Sequence, residues 1–367
     1  MKYLAVLGRQ PEISIAELEA RFPKAEFLKN SHAGIVLFSM AENIEIDKFG
    51  GLLKVAVQLE QKPLEYLQSL PEGKITIGVS DYSSKASRKT AMEEALKLKK
   101  ILVRHGRSVR VVANKEAVLS TATSLHNGLS GKNERKVELI KVDGDWYKVI
   151  GVQDIDAYAK RDQARPARDA KVGMLPPKLA QVLINLCGPL KPGSVVLDPF
   201  CGTGVVLQEA ILMGHKAYGT DIDERMINYS KKNLEWLFAK KASFGLSQGD
   251  ATDFRWEQPI DAVACEGYLG KPFSRIPTEM EVKEQKQECG AIVLGFLKNL
   301  VGQVKKGTPV VIAAPAWLRE NGEYSRLDVL DKIEELGYNV MNKSHEGLLY
   351  YREKQIVARD ILILRKK

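Results

Sequence analysis

The chain has 367 residues, 44% of them hydrophobic and 28% charged, with a formal net charge of +9 at pH 7. That length exceeds one ordinary small domain, so two or three domains are expected. The sequence shows no apolar run of membrane-spanning length and no signal-peptide pattern at its start, so neither a membrane segment nor secretion is expected. Cys187, Cys201, Cys265 and Cys289 are scattered with no CxxC pair. That spacing speaks against a disulfide scaffold or a zinc site and fits a reducing, cytoplasmic setting. His32, His105, His126, His215 and His345 lack ligand spacing, so no metal is expected. The positive charge is uneven: residues 61–150 hold 17 Lys+Arg against 10 Asp+Glu. A solvated surface accounts for such a bias, and so does a module that faces a polyphosphate.

Residues 1–60 read as a small α/β unit. YLAVLG, GIVLFS and LLKVAVQLEQ are strands, and SIAELEARF is a helix with Ser14 as N-cap and Glu17 closing a capping box. Residues 61–155 read as a second α/β unit. KITIGVSDY is a strand, and SRKTAMEEALKLKKILVRHG is an amphipathic helix ending at Gly106. SVRVVAN is a further strand, and KVELIKVDG and WYKVIGVQD are two more, joined through a DGD turn. Residues 156–175 are charged, lack apolar periodicity and read as a linker. Arg161, Arg165 and Arg168 lie on it, where phosphate contact and plain solvation are both open.

From residue 176 to 367 strands and helices alternate. The helix PPKLAQVLINLCG leads into the strand SVVLDPF, the helix GVVLQEAILMG and the strand KAYGTDID. Next come the helix ERMINYSKKNLEWLFA, the strands ASFGLSQGDA and IDAVACEG, and the helix that starts at TEMEV. The strand TPVVIAAPA, the helix LDVLDKIEELGY and a closing pair, GLLYY and ARDILILRK, complete the chain. Such alternation implies a largely parallel, doubly wound sheet with ligands beyond the carboxyl ends of its strands.

VVLDPFCGTG, residues 195–204, carries the sharpest signal. A buried strand ends in an acid and turns through Gly202 and Gly204 into a helix. The dinucleotide fingerprint fails because Leu207 stands where its third glycine belongs, and no GK[ST] follows for a P-loop. Asp198 repels phosphate at this loop and attracts an ammonium group. Asp221 ends the next strand, where a carboxylate accepts ribose hydroxyls. Asp250 ends the third strand and can accept from an adenine amine. Three such acids suit a ligand with an amine, a ribose and an adenine but no phosphate, which describes S-adenosylmethionine. Cys201 reads as small-residue packing rather than a nucleophile, and Trp317 as core or as the rim of a base pocket.

DPFCGTG, the upstream GMLPPKLAQVLINL and YAKRDQARPARD together resemble the THUMP-domain tRNA (guanine-N2)-methyltransferases. YLAVLGRQPEISIAELEARF is similar to the ferredoxin-like domain that opens that family. The resemblance implies a Rossmann-like methyltransferase domain over 176–367, preceded by a ferredoxin-like domain (1–60), a THUMP-like RNA-binding domain (61–155) and a linker (156–175). It implies S-adenosylmethionine as cofactor and tRNA as partner, and leaves open a small activating protein subunit. Carried over by position, Asp198, Gly202 and Gly204 form the cofactor loop. Asp221 and Asp250 take ribose and adenine, and Met174, Leu175 and Pro176 line the methionine side. Family members carry Asp/Asn-Pro-Pro-Tyr at the end of the fourth strand, and this chain has Cys265-Glu266-Gly267-Tyr268 there. On that alignment Glu266 orients the exocyclic amine and Tyr268 stacks on the base. The alternatives are a tRNA-binding protein that keeps the cofactor pocket without methyl transfer, and a methyltransferase for another nucleic-acid amine.

Overall fold

Apolar runs and their turn residues set out two units in the computed structural model, which describes residues 1–28, 34–169, 174–239, 242–342, 348–353 and 355–367. His32 and His345 lie outside the described residues. One unit comprises Met1–Ile15 and Phe22–Tyr158, the other Ala16–Arg21 and Ala159–Lys367. Among the described residues no helix is long and apolar enough to cross a membrane, and no group of three His, Cys, Asp or Glu is placed to hold a metal ion.

The first part of the chain runs β1 (Lys2–Leu7), α1 (Pro11–Arg21), β2 (Glu26–Phe27), β3 (Ile35–Ser39), β4 (Leu52–Gln58) and α2 (Pro63–Ser69). It continues through β5 (Ile75–Asp81), α3 (Arg88–Arg104), β6 (Val109–Val111), α4 (Thr121–His126), β7 (Lys136–Val142) and β8 (Asp145–Val152). All eight strands form one sheet in the order β2-β3-β1-β4-β8-β7-β5-β6. The segments 1–60 and 61–155 therefore share a sheet, joined where β4 runs antiparallel to β8. The β7–β8 turn is a two-residue loop, Asp143-Gly144, with both residues at positive φ (46° and 103°). That is the conformation a tight hairpin needs and Asp-Gly tolerates.

Helix α3 forms as its sequence predicts. Ser87 caps it in a reciprocal box with Thr90, and Gly106 follows its end at φ 79°. Ala95, Leu98 and Leu102 bury against Ile75, Ile77 and Val79 of β5. Helix α1 differs from expectation. It starts at Pro11, so Ser14 lies inside it, and the Ser14 hydroxyl donates to the carbonyls of Gln10 and Gly51 rather than capping. Pro at the first helical position costs no hydrogen bond, and that outweighs the capping signal three residues later. The stretch read as a linker also begins in a helix, α5 (Ile155–Gln163). Burial falls on Tyr158 and Arg161, three residues apart. An arginine stem fills a place that apolar periodicity would mark.

The second unit runs α6 (Pro177–Leu186), β9 (Val195–Asp198), α7 (Val205–Leu212), β10 (Lys216–Asp221), α8 (Glu224–Phe238), β11 (Phe244–Gln248) and β12 (Ala262–Glu266). It ends with α9 (Glu279–Leu300), β13 (Pro309–Leu318), β14 (Tyr324–Ser325), α10 (Leu330–Glu335), β15 (Tyr338–Val340), β16 (Leu349–Tyr350) and β17 (Val357–Lys366). Its sheet has the order β11-β10-β9-β12-β13-β17-β15, with β14 beside β13 and β16 beside β17. The strands from β11 to β13 are parallel, while β17 runs antiparallel to β13 and also pairs with β16 as the closing pair predicts. The observed fold is the expected mixed α/β one, with a Rossmann-like doubly wound sheet.

A fully buried ion pair crosses the core of the first unit. Lys54 Nζ donates to Glu138 Oε1 at 2.6 Å, Ser124 Oγ at 2.8 Å and the Leu119 carbonyl at 2.7 Å. Ser80 and Ser124 donate to the same carboxylate, so each charge is met by hydrogen bonds. Lys54→Met leaves Glu138 buried without its cation. We expect it to lower the unfolding free energy in urea by about 3–5 kcal/mol, and Lys54→Met with Glu138→Leu to recover most of that loss.

Candidate functional site

The parallel strands β11-β10-β9-β12-β13 bring their carboxyl ends to one edge of the sheet. A cavity of about 630 Å³ opens there. Asp198, Asp221 and Glu266 are the last residues of β9, β10 and β12, and Asp250 lies two residues beyond β11. All four line the cavity, with Tyr268 and the apolar side chains of Leu175, Val205, Ile222, Met226 and Ile292.

The loop after β9 is shaped by its glycines. Gly204 caps α7 at φ 82°, and a Cβ there would lie 2.8 Å from Ser230 Oγ and 3.2 Å from Ser230 Cα. Both conformation and space therefore require glycine. Gly202, at φ 50°, donates its N–H to Asp221 Oδ2 at 2.8 Å. Asp221 Oδ1 accepts from the Asp223 N–H at 3.0 Å, and Asp223 in turn caps α8. Asp198 Oδ1 accepts from the Phe200 N–H at 3.1 Å. Asp250 Oδ1 accepts from the Thr252 N–H and hydroxyl, at 2.9 and 2.8 Å.

Burial dominates the electrostatics. Asp198 is 3% exposed, and its carboxyl is pushed well above the usual range by desolvation, against the Phe200 N–H and with the Asp221 and Glu266 charges adding to the rise. Burial also raises Asp221, despite the Asp223 and Gly202 N–H groups that favour its charge. The Cys201 thiol lines the cavity but is held well above its ordinary value, first by burial and then by Asp198 and Asp221. It is a packed thiol and not a nucleophile. A crevice whose acids are desolvated in this way gains most from a ligand that carries positive charge.

At the end of β12 the side chains part. Cys265 is buried in the core, while Glu266 lines the cavity and its Oε1 accepts from Arg359 Nε at 2.8 Å. The Gly267 N–H continues the ladder to the Ala313 carbonyl at 3.0 Å. Proline at 267 would have no N–H to give there, which is the physical content of this chain's departure from Pro-Pro. Tyr268 is 39% exposed, and its phenol is raised by burial and by the neighbouring Glu288 carboxylate. The following loop is pinned to α9, where the Lys271 N–H donates to Gln285 Oε1 at 2.6 Å.

Other predicted residues lie elsewhere. Of Met174, Leu175 and Pro176, Leu175 is among the cavity's lining residues. The Met174 sulfur meets Arg165, and Pro176 caps α6. Arg161 is buried on Glu209, with Nε at 2.6 Å from Oε1. Arg165 is also buried, 3.5 Å from the Thr203 hydroxyl and 3.6 Å from Asp162, and its guanidinium is lowered chiefly by desolvation. Neither guanidinium is presented for phosphate contact, because each is buried in the interior of the second unit. Arg168 is exposed and donates to the Gln163 carbonyl. Trp317 is wholly buried in the core and not on a base-pocket rim. Sequence reasoning missed Arg359 and Gln285. The signal for Arg359 was present: a charged dipeptide, Arg359-Asp360, inside the otherwise apolar run VARDILIL, where both residues are buried.

In the first unit, Lys74, Thr76, Arg110, Asn133, Arg135 and Lys136 line a groove of about 280 Å³ where β5, β6 and β7 begin. Arg110 donates to Asn127 Oδ1 at 2.9 Å, which orients it.

Residues 165–292 match the RMKL-like methyltransferase domain, UPF0020. A tRNA (guanine(10)-N2)-dimethyltransferase of Methanothermobacter thermautotrophicus is 33% identical over 159 residues, which are 43% of this chain and 44% of that relative. The protein of the same name from Pyrococcus abyssi is 28% identical over 284 residues, 76% of this chain and 77% of the relative. The match thus spans less than half of the first relative and about three quarters of the second. Among solved structures, TrmN from Thermus thermophilus aligns over the full length of both chains at 17% identity and a TM-score of 0.48.

The raised Asp198 carboxyl has a signed consequence for stability. The folded state holds its proton to higher pH than the unfolded state, so stability falls as pH rises from the ordinary value of 3.8 through the raised one. Asp198→Asn removes that loss. We expect the ligand-free variant to melt higher than the parent at pH 7–8 and to show a flatter decline of Tm with pH, measured by calorimetry.

Proposed function

We propose that this protein transfers a methyl group from S-adenosylmethionine to the exocyclic N2 of a guanosine in tRNA, a reading supported by the match of residues 165–292 to the RMKL-like methyltransferase domain and by the resemblance to tRNA (guanine-N2)-methyltransferases read in the sequence. The observation that carries the reading is one cavity at the carboxyl ends of parallel strands, lined by Asp198, Asp221, Asp250 and Glu266, with Tyr268 exposed beside them. Both relatives described above are named for position 10 and for two methyls, so that nucleotide and the dimethyl product are the first to assay.

The residues suit the cofactor. Asp198 is desolvated and costly as a bare anion, and a cationic ligand offsets that cost. Asp221 keeps acceptor capacity beyond its two backbone hydrogen bonds and takes the ribose hydroxyls. Asp250, which accepts from Thr252 through Oδ1, takes the adenine amine. Ile222 and Met226 offer apolar contact to the purine faces, and Leu175 holds the methionine side. The bound cofactor supplies an electrophilic methyl on a sulfonium. Everything else is positioning. The guanine amine is a weak nucleophile because its lone pair is delocalised into the ring. An acceptor at Glu266 that fixes the amine's hydrogens aims that lone pair, and the Tyr268 ring stacks on the base. The base leaves its own stack to reach the cavity.

The first unit supplies the hold on RNA in this reading, through backbone and shape rather than sequence. THUMP-like recognition is assigned to the segment that carries the groove of Lys74, Arg110, Arg135 and Lys136, and Arg168 is a further candidate contact.

Asp221→Ala is expected to weaken S-adenosylhomocysteine binding by about 1.5–3 kcal/mol in calorimetry. Unchanged affinity would refute the cofactor assignment. Arg110→Glu with Arg135→Glu is expected to weaken tRNA binding by the full chain across all tRNA sequences. The slope of log affinity against log salt should become shallower by roughly one per lost phosphate contact. Tyr268→Ala is expected to slow single-turnover methylation about ten-fold or more, from a stacking loss of about 1–3 kcal/mol, with cofactor affinity unchanged. A parent chain that binds tRNA and cofactor yet methylates no guanosine would leave a binding protein in place of an enzyme.

A further inference from the structure

The acid at the end of β12 stands one residue away from its place in the family signature. Side chains alternate across a strand, so a one-residue shift should turn a carboxylate to the other face of the sheet. Cys265, at the signature's acid position, is indeed buried in the core, and Glu266 lines the cavity. The register shows what holds Glu266 there. Glu266 pairs with Ala313 of β13, and Ala313 pairs with Ile361 of β17. Arg359 lies two residues from Ile361 and so on the same face. Two strand spacings separate β12 from β17, about 9.5 Å. The small side chain of Ala313 lets Arg359 and Glu266 meet across β13. They do so at 2.8 Å between Nε and Oε1, with side chains 8% and 15% exposed.

We infer that Arg359 is a positioning residue for methyl transfer, holding Glu266 as a charged acceptor of fixed orientation. The inference rests on the methyltransferase reading above. An ionised carboxylate is an acceptor only, whereas a protonated carboxyl also donates, so a Glu that orients an amine through its hydrogens does so best as the anion. It shares its cavity with the carboxyl groups of Asp198, Asp221 and Asp250. A guanidinium remains charged at any working pH and fixes the plane of the carboxylate through the directed Nε–H. With Oε1 engaged, the place of the second oxygen is defined. Thus the Arg359–Glu266 pair supplies the rigidity that two prolines supply in the family signature.

The test compares the full-length parent with Arg359→Met, Arg359→Lys, Glu266→Gln and the double variant Arg359→Met/Glu266→Gln. Each is assayed for single-turnover methylation of tRNA at saturating cofactor, for S-adenosylhomocysteine affinity, for tRNA affinity and for thermal unfolding. Arg359→Met is expected to slow the single turnover roughly ten-fold or more while both affinities stay within about two-fold of the parent. Arg359→Lys should recover part of the rate. The double variant should be no slower than Glu266→Gln alone, because one interaction is removed in both. Where Arg359→Met unfolds, Arg359→Lys keeps the charge without the planar Nε–H and carries the same comparison. Losses that simply add, or a full rate in a folded Arg359 variant of a parent that methylates, overturn the inference alone. A parent that methylates no tRNA overturns the functional reading and the inference with it.

Discussion

The hydrogen bond from the Gly202 N–H to Asp221 Oδ2 ties the loop after β9 to the end of β10, and the cavity depends on it. It spends part of the Asp221 carboxylate on the loop backbone and leaves its remaining acceptor capacity for a ligand. Gly202 and Gly204 beside it take the left-handed conformations that bring the chain into α7. Ser230 of α8 closes the arrangement by donating to the Gly202 carbonyl at 2.8 Å. Cys201, Gly202 and Thr203 of this turn line the cavity, so the contacts that hold the turn also shape the site.

The second theme is how the chain disposes of charge. Four carboxylates converge where the parallel strands end, and desolvation works against the charge of Asp198 and Asp221. Arginines compensate from the interior: Arg161 on Glu209, and Arg359 on Glu266. The overall charge of +9 thus hides a division of labour. Some cations are spent inside the second unit, while the groove of Lys74, Arg110, Arg135 and Lys136 keeps its charge at the surface of the first. Only the surface cations can answer a polyanion.

In the first unit the Lys54–Glu138 pair has a different standing. Its hydrogen bonds reach Leu119, Ser80 and Ser124, so it joins strands β4, β5 and β7 to α4 and to the chain just before it. A pair of this kind contributes little over apolar residues of the same shape but penalises every arrangement that separates its members. It links the two sequence segments, 1–60 and 61–155, that share the sheet.

Much of this was legible in the residues alone. Strand–helix alternation from residue 176 determined the doubly wound sheet, because a parallel strand pair needs a crossover and the crossovers are visible as amphipathic helices. DPFCGTG, Asp221 and Asp250 marked the cavity, because the end of a strand is local information and the three strands are successive. Tertiary structure decided what depends on distant partners. Ser14 is inside a helix because Pro11 begins it. Arg161 and Arg165 are interior because Glu209, Asp162 and Thr203 receive them. Glu266 faces the cavity beside Arg359, 93 residues further along the chain. Periodicity and spacing report which groups lie on one element; which charge meets which across a sheet is set by strand order and register, and those exist only once the chain has folded.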